Sequence, residues 1–281
     1  MSFENQPALA LLIAIAAVTL QPVSAAAQNY APAPGPSYAD LADLADSAAI
    51  VARVQVRSIV RVRNDRAPGL RPGWGRFFVQ AKTRALLTGN APIGESLRYL
   101  VDLPIDSSGK TVRLKRQDVI LFARPVPGRP DELQLVTPDA QLIWSEPAEA
   151  GVRSILSELV APDAPGLVAG VREIIHVPGT LAGEGETQIF LATRDGSAAS
   201  ITVRHRPGAQ AQWGASFSEL MADVGNPPRR DSLAWYRLAC FLPNTLPREA
   251  NLSETASSRT QALADYRMVL GELGVCTRNR Q

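Results

Sequence analysis

His176 and His205 are the only histidines in a chain of 281 residues, and imidazole is the side chain best suited to move protons near neutral pH. In strand register His176 shares a face with Arg172 and Ile174, while His205 ends the face that carries Ile201 and Val203. Held apart, each is a strand residue with a satisfied ring. Brought together, they become an acid/base pair or two ligands of a metal. No His or Cys pair stands at zinc-ligand spacing, so no metal site is assigned. Glu184 and Glu186 lie in the Gly-rich stretch 179–186, which runs from strand to strand and so presents no helix N-terminus to a phosphate. Two carboxylates without Asp or Asn neighbours make a poor calcium set. A criterion follows. A pocket gathering His176 or His205 beside Glu184 points to an enzyme, whereas a smooth basic sheet points to binding.

Other reactive patterns are thinner. Ser107 and Lys110 match a bare S-x-x-K spacing, but they sit in a hydrophilic Gly turn rather than opening a buried helix. The segment 104–110 lacks the first glycine of a phosphate loop, and no G-x-S-x-G elbow occurs. No catalytic residue and no cofactor are assigned on these grounds. Cys240 and Cys276 are the whole cysteine complement; neither has a His within twenty-five residues, and an exported chain favours pairing them as a disulfide. The strongest surface signal is basic. Between Val51 and Pro127 fifteen Arg or Lys stand against five Asp or Glu, and Arg53, Arg57, Arg61, Lys82 and Arg84 fall on the outward faces of two adjacent strands. Such a stripe suits an anionic glycan or lipid, with an envelope protein as the other partner class. Outward aromatics for base stacking are few, Phe78 being the main one, which disfavours nucleic acid.

The elements that must position these residues are mostly strands. Val51 to Val62 alternates, with Ala52, Val54, Val56, Val60 and Val62 expected on one face and Arg53, Gln55, Arg57 and Arg61 on the other. Phe77 to Leu87 alternates in the same way. Leu97 to Leu103, Val119 to Ala123 and Leu133 to Val136 are further strands, with the stretch 125–130 as a loop. A short helix is expected over Tyr38 to Ala49, and a longer one follows the Ser145 cap with Val152, Ile155, Leu156 and Leu159 as its apolar stripe. Strands resume over Val168 to Val177, Thr187 to Thr193 and Ser200 to Arg204, with Asp195-Gly196 as a tight turn. Three helices close the chain: one capped by Ser216 with Glu219, one by Asp231 or Ser232 and stopping at Pro243, and one starting at Asn251 with Glu254 and ending at Gly274.

The ends and the composition set the context. Ala8 to Leu20 is an unbroken apolar run of signal-peptide length, too short to span a bilayer, and Val23 to Gln28 supplies small residues for a cleavage site. The n-region departs from the pattern, since residues 1–7 contain no Lys or Arg. Residues 1–27 are therefore expected to be a signal peptide, 28–38 a flexible leader, 39–160 an OB-like β domain with a C-terminal helix, 161–166 a linker, and 167–281 a β-hairpin plus helical domain. The expected location is periplasmic or secreted. With 20% charged residues and a net charge of +2, no global field selects nucleic acid or a membrane surface as partner.

A short helix followed by AIVARVQVRSIV, FFVQAKTRALLTG and VILFA is similar to the small OB-like barrels of the netrin and metalloproteinase-inhibitor type, over residues 39–143. Inhibitors of that type act through an N-terminal Cys, and this chain has none near the expected mature start, so that activity is not implied. The stretches 178–181, 183–191 and WYRLACFLP (235–243) resemble an uncharacterised family of exported bacterial proteins, which implies no functional residues. The expected fold class is α+β, mainly β: an OB-like barrel followed by a smaller domain of hairpin and helices. The leading function is a non-catalytic binding or assembly module of the cell envelope. A periplasmic hydrolase with dispersed acid/base residues is the alternative.

Overall fold

Alternation of apolar and polar residues closes the first half of the chain into a barrel. The computed structural model describes residues 35–89, 91–218 and 225–280; the expected signal peptide and most of the leader lie outside them. Strand β1 (Ile50–Arg61) pairs antiparallel with β2 (Trp74–Gly89), and β2 with β3 (Ser96–Pro104). β3 runs parallel to β5 (Arg129–Leu135), β5 antiparallel to β4 (Asp118–Val126), and β4 returns to β1. The closed order β1-β2-β3-β5-β4-β1 is that of an OB-like barrel, and closure leaves few strand edges to manage. A short strand, β6 (Gln141–Ile143), adds to β4. Val54, Val56, Val79, Ala81, Leu97, Val101 and Ile120 fill the core. Helix α1 (Tyr38–Ser47) is started by a Ser37/Asp40 capping box, and α2 (Glu146–Leu159) by Ser145, with Val152, Ile155 and Leu156 buried as their spacing requires.

In the barrel half two local expectations fail, the first through a change of parity. β1 carries bulges against β2, one of them between Val56 and Ser58. An extra residue reverses the parity of everything beyond it. Ile59 therefore faces Val79, while Val60, expected inside, pairs with Phe78 on the outer face and is 60% exposed. Arg61 correspondingly leaves the outward row and bonds the Gly109 carbonyl at the barrel end. The second concerns the 125–130 segment. There β4 continues to Val126 and β5 starts at Arg129, leaving only Pro127-Gly128 as the turn; Gly128 takes the positive φ of 74° that the turn requires.

The second half is a four-stranded antiparallel meander, β7 (Val168–Pro178), β8 (Gly185–Thr193), β9 (Ser200–His205) and β10 (Gln212–Ser216), followed by α3 (Leu233–Ala239) and α4 (Ala256–Leu273). Ser216 ends β10 instead of capping a helix, and the body of the helix expected there lies outside the described residues. Ser232 caps α3, which stops at Cys240 rather than reaching Pro243. Thr255 caps α4, because Asn251 is engaged in a bridge to Ile174 of β7. α4 packs on β7 and β8 through Ala262, Tyr266, Val269 and Leu273. Cys240 and Cys276 form a disulfide that ties the end of α3 to the segment after α4.

Several polar contacts tie this half to the barrel half. Arg237 of α3, 4% exposed, grips Asp46 in the last turn of α1 through two bonds of 2.8 and 3.0 Å. The C-terminal segment crosses to α1, where the Asn279 and Arg280 N–H groups donate to Asp40 at 2.9 and 3.2 Å and Arg278 holds Asp43. Among the described residues no helix is long and apolar enough to cross a membrane.

Candidate functional site

Sheet register brings the two histidines to one place. On β8, Thr187 lies opposite His176 of β7, and Gly185, two residues earlier and hence on the same face, lies opposite His205 of β9. α4 covers that face and sets Asp265 between the rings, whose centroids are 6.2 Å apart. Gly185 is the residue that lets them approach. A Cβ there would stand 2.8 Å from His176 Cε1 and 3.0 Å from Nε2, so any side chain would have to displace the ring. In β7 a bulge at Arg172 turns that residue outward and separates it from Ile174 and His176, which stay buried.

The hydrogen bonds fix the protons. Asp265 is 2% exposed, and an ionised carboxylate only accepts. Its Oδ1 takes bonds from His205 Nε2 at 2.8 Å and from Gln261 Nε2 at 2.8 Å. Its Oδ2 takes the Thr187 hydroxyl proton. Thr187 has then spent its one proton, so its oxygen must accept from His176 Nδ1, 2.8 Å away. In the neutral ring this leaves a lone pair on His176 Nε2, which makes no hydrogen bond among the described residues. That nitrogen belongs to a ring lining an open cavity of about 280 Å³, which His205, Glu184, Ser257, Ser258 and Gln261 also line. Burial lowers the His176 pKa; the Asp265 charge pulls the other way, His205 adds to the lowering, and burial wins. The ring is thus a neutral base at pH 7, oriented by a carboxylate through a hydroxyl.

Glu184 joins the same cavity, its Oε2 accepting from the Thr180 and Leu181 N–H groups at 3.2 Å each. Glu186 is engaged by Arg204 at 3.1 Å. Among the described residues no group of three or more His, Cys, Asp or Glu is placed to hold a metal ion. Reading by residue type misses Thr187, Gln261 and Asp265. Asp265 does leave a visible signal, being a lone carboxylate on the apolar face of α4 between Ala262 and Tyr266.

The basic stripe is broken up by partners. Arg53 bonds Asp118 at 2.7 Å and stacks over Trp144, and Lys82 meets Glu95 at 2.6 Å. Arg84 stands 3.9 Å from Asp118. Arg57, the bulged residue of β1, is exposed and makes no ion pair among the described residues. Arg53 and Arg84 are brought together on Asp118, Lys82 pairs separately with Glu95, and Arg61 is turned to the barrel end.

The depressed His176 pKa has a stability consequence with a definite sign. In the unfolded chain the ring binds a proton near its ordinary pKa of about 6.5, and in the native state only at lower pH. Between those values the unfolded state holds more protons, so this contribution to stability is present above pH ~6.5 and is lost as pH falls towards the native pKa. Urea unfolding at stepped pH should show wild type losing more stability below pH ~6.5 than His176→Asn; parallel curves would refute it. Neither a protein-family model nor a curated protein matches the chain.

Proposed function

We propose that the chain is an exported hydrolase in which His176 activates water as a general base. One observation carries the reading: the His176–Thr187–Asp265 relay leaves Nε2 unprotonated in a ring that lines a cavity shared with His205 and Glu184. A pocket of that composition is the mark of an enzyme rather than of a smooth binding sheet. His176, having taken the proton of water at Nε2, can return it from the same nitrogen to the leaving group, while His205 stays bonded to the same carboxylate. The disulfide accords with an oxidising compartment, as does the expected signal peptide.

The test is a panel of chromogenic esters, phosphodiesters and glycosides offered to the protein lacking residues 1–27. Turnover of at least one class is expected, with kcat/KM falling at low pH along a limb set by a pKa below about 6.5. His176→Asn keeps an N–H donor for Thr187 and removes Nε2, so it should lower kcat/KM by about 10²- to 10⁴-fold with the fold intact. No turnover in any class, or full activity in the variant, ends the hydrolase reading.

A second reading, binding on the barrel, is favoured by a different observation. Val60, Phe78 and Leu100 are exposed cross-strand neighbours on β1, β2 and β3, and the latter two line a groove of about 590 Å³ with Arg76 and Arg98. OB-like barrels take oligomeric ligands on this strand face. An inactive His-site panel together with loss of glycan retention on Phe78→Ser would move the function there.

A further inference from the structure

A third cavity lies on another face of α4. Arg259, Leu263, Tyr266 and Arg267 fall at i, i+4, i+7 and i+8 and line it from the helix, and Leu246 and Arg248 line it from the loop that follows α3. It measures about 390 Å³, and no carboxylate lines it. The barrel groove is different, since there Arg76 and Arg98 face Asp102 and Glu132. Arg259 donates through its Nη1 to the Ser253 and Glu254 carbonyls at 2.8 and 2.7 Å, which fixes its guanidinium and leaves its other N–H groups unspent. Arg248 and Arg267 make no ion pair and no side-chain hydrogen bond among the described residues. The Tyr266 hydroxyl is already given to the Pro243 carbonyl at 2.5 Å, so that residue contributes its ring as a wall.

Three guanidiniums around one cavity repel one another unless an anion enters. Their planar forks match the oxygens of a phosphoryl group, and a dianion answers three cations better than a carboxylate does. Leu246 and Leu263 give the rest of the volume an apolar lining suited to a small organic group. We infer that this cavity, independent of the histidine site, binds a phosphate monoester, whether as a soluble metabolite or as the headgroup of a lipid.

Thermal unfolding at fixed ionic strength tests it with three probes: inorganic phosphate, glycerol 3-phosphate, and vesicles containing phosphatidic acid with phosphatidylcholine vesicles as control. The wild-type midpoint should rise with phosphate and at lower concentration with glycerol 3-phosphate, and Arg248→Gln/Arg267→Gln should need roughly tenfold more of either. Both side chains are exposed, so the double variant without ligand should melt close to wild type. If the double variant fails to fold, each single variant gives the same readout with a smaller shift. Retention by phosphatidic acid vesicles alone, lost in the variant, assigns the headgroup as the source. Equal midpoint shifts in wild type and variant, or no response to any probe, overturns the site.

Discussion

On the hydrolase reading proposed above, Asp265→Asn is expected to keep the protein folded and to abolish most hydrolysis, because it reverses the proton order of the relay. The two donors on the Oδ1 side, from His205 and Gln261, hold the new amide's carbonyl there, so its NH2 group must face Thr187. Thr187 then accepts from the introduced amide and turns its own proton to His176 Nδ1. The imidazole proton moves to Nε2, and the base at the cavity is gone. A triad histidine held in the wrong tautomer by the same kind of substitution loses about 10⁴-fold in kcat, and a loss of that order is expected here. Nitrogen chemical shifts of the His176 ring provide an independent readout, with the protonated nitrogen changing from Nδ1 to Nε2. An unchanged tautomer would show that the relay is not wired through Thr187.

Loss of the disulfide is the largest expected stability effect. Cys240 and Cys276 are 36 residues apart, and closing a loop of that size removes about 4 kcal/mol of chain entropy from the unfolded state. For a chain of this length each kcal/mol moves the melting midpoint by roughly 2–4 °C, so Cys240→Ser/Cys276→Ser should melt about 8–15 °C below wild type. Because the bond joins the end of α3 to the segment after α4, α4 and Asp265 with it should become easier to open. Scanning calorimetry of oxidised wild type against the double variant decides the matter; a drop of less than about 2 °C would mean that packing alone holds the two helices.

The parts of the fold legible in the sequence are those where periodicity runs unbroken. β8 and β9 alternate cleanly and stand where expected, and α2 follows from Ser145 and its apolar stripe. Bulges break the inference in β1 and at Arg172, since parity is a running count and one inserted residue reverses it. β6 and β10, three and five residues long, are too short to show a period. The candidate site is half legible. His176, His205 and Glu184 are conspicuous by type, but their meeting depends on β7–β8–β9 register and on the face of α4 that lies over the sheet, neither of which is written locally. The basic stripe shows the reverse case, in which charges obvious in sequence are answered by Asp118 and Glu95 from neighbouring strands and loops.

The contact between the C-terminal segment and α1 bears on the order in which the molecule is completed. Asp40 accepts from the Ser37 N–H beside it and from the N–H groups of Asn279 and Arg280, which lie 239 and 240 positions further on. A chain is made N-terminus first. α1 therefore emerges with two of those three backbone donors still unsynthesised. Until they arrive, Asp40 sits as a carboxylate short of partners against the growing barrel, and the last turn of assembly is a latch rather than a core. Removing residues 278–280 would loosen α1.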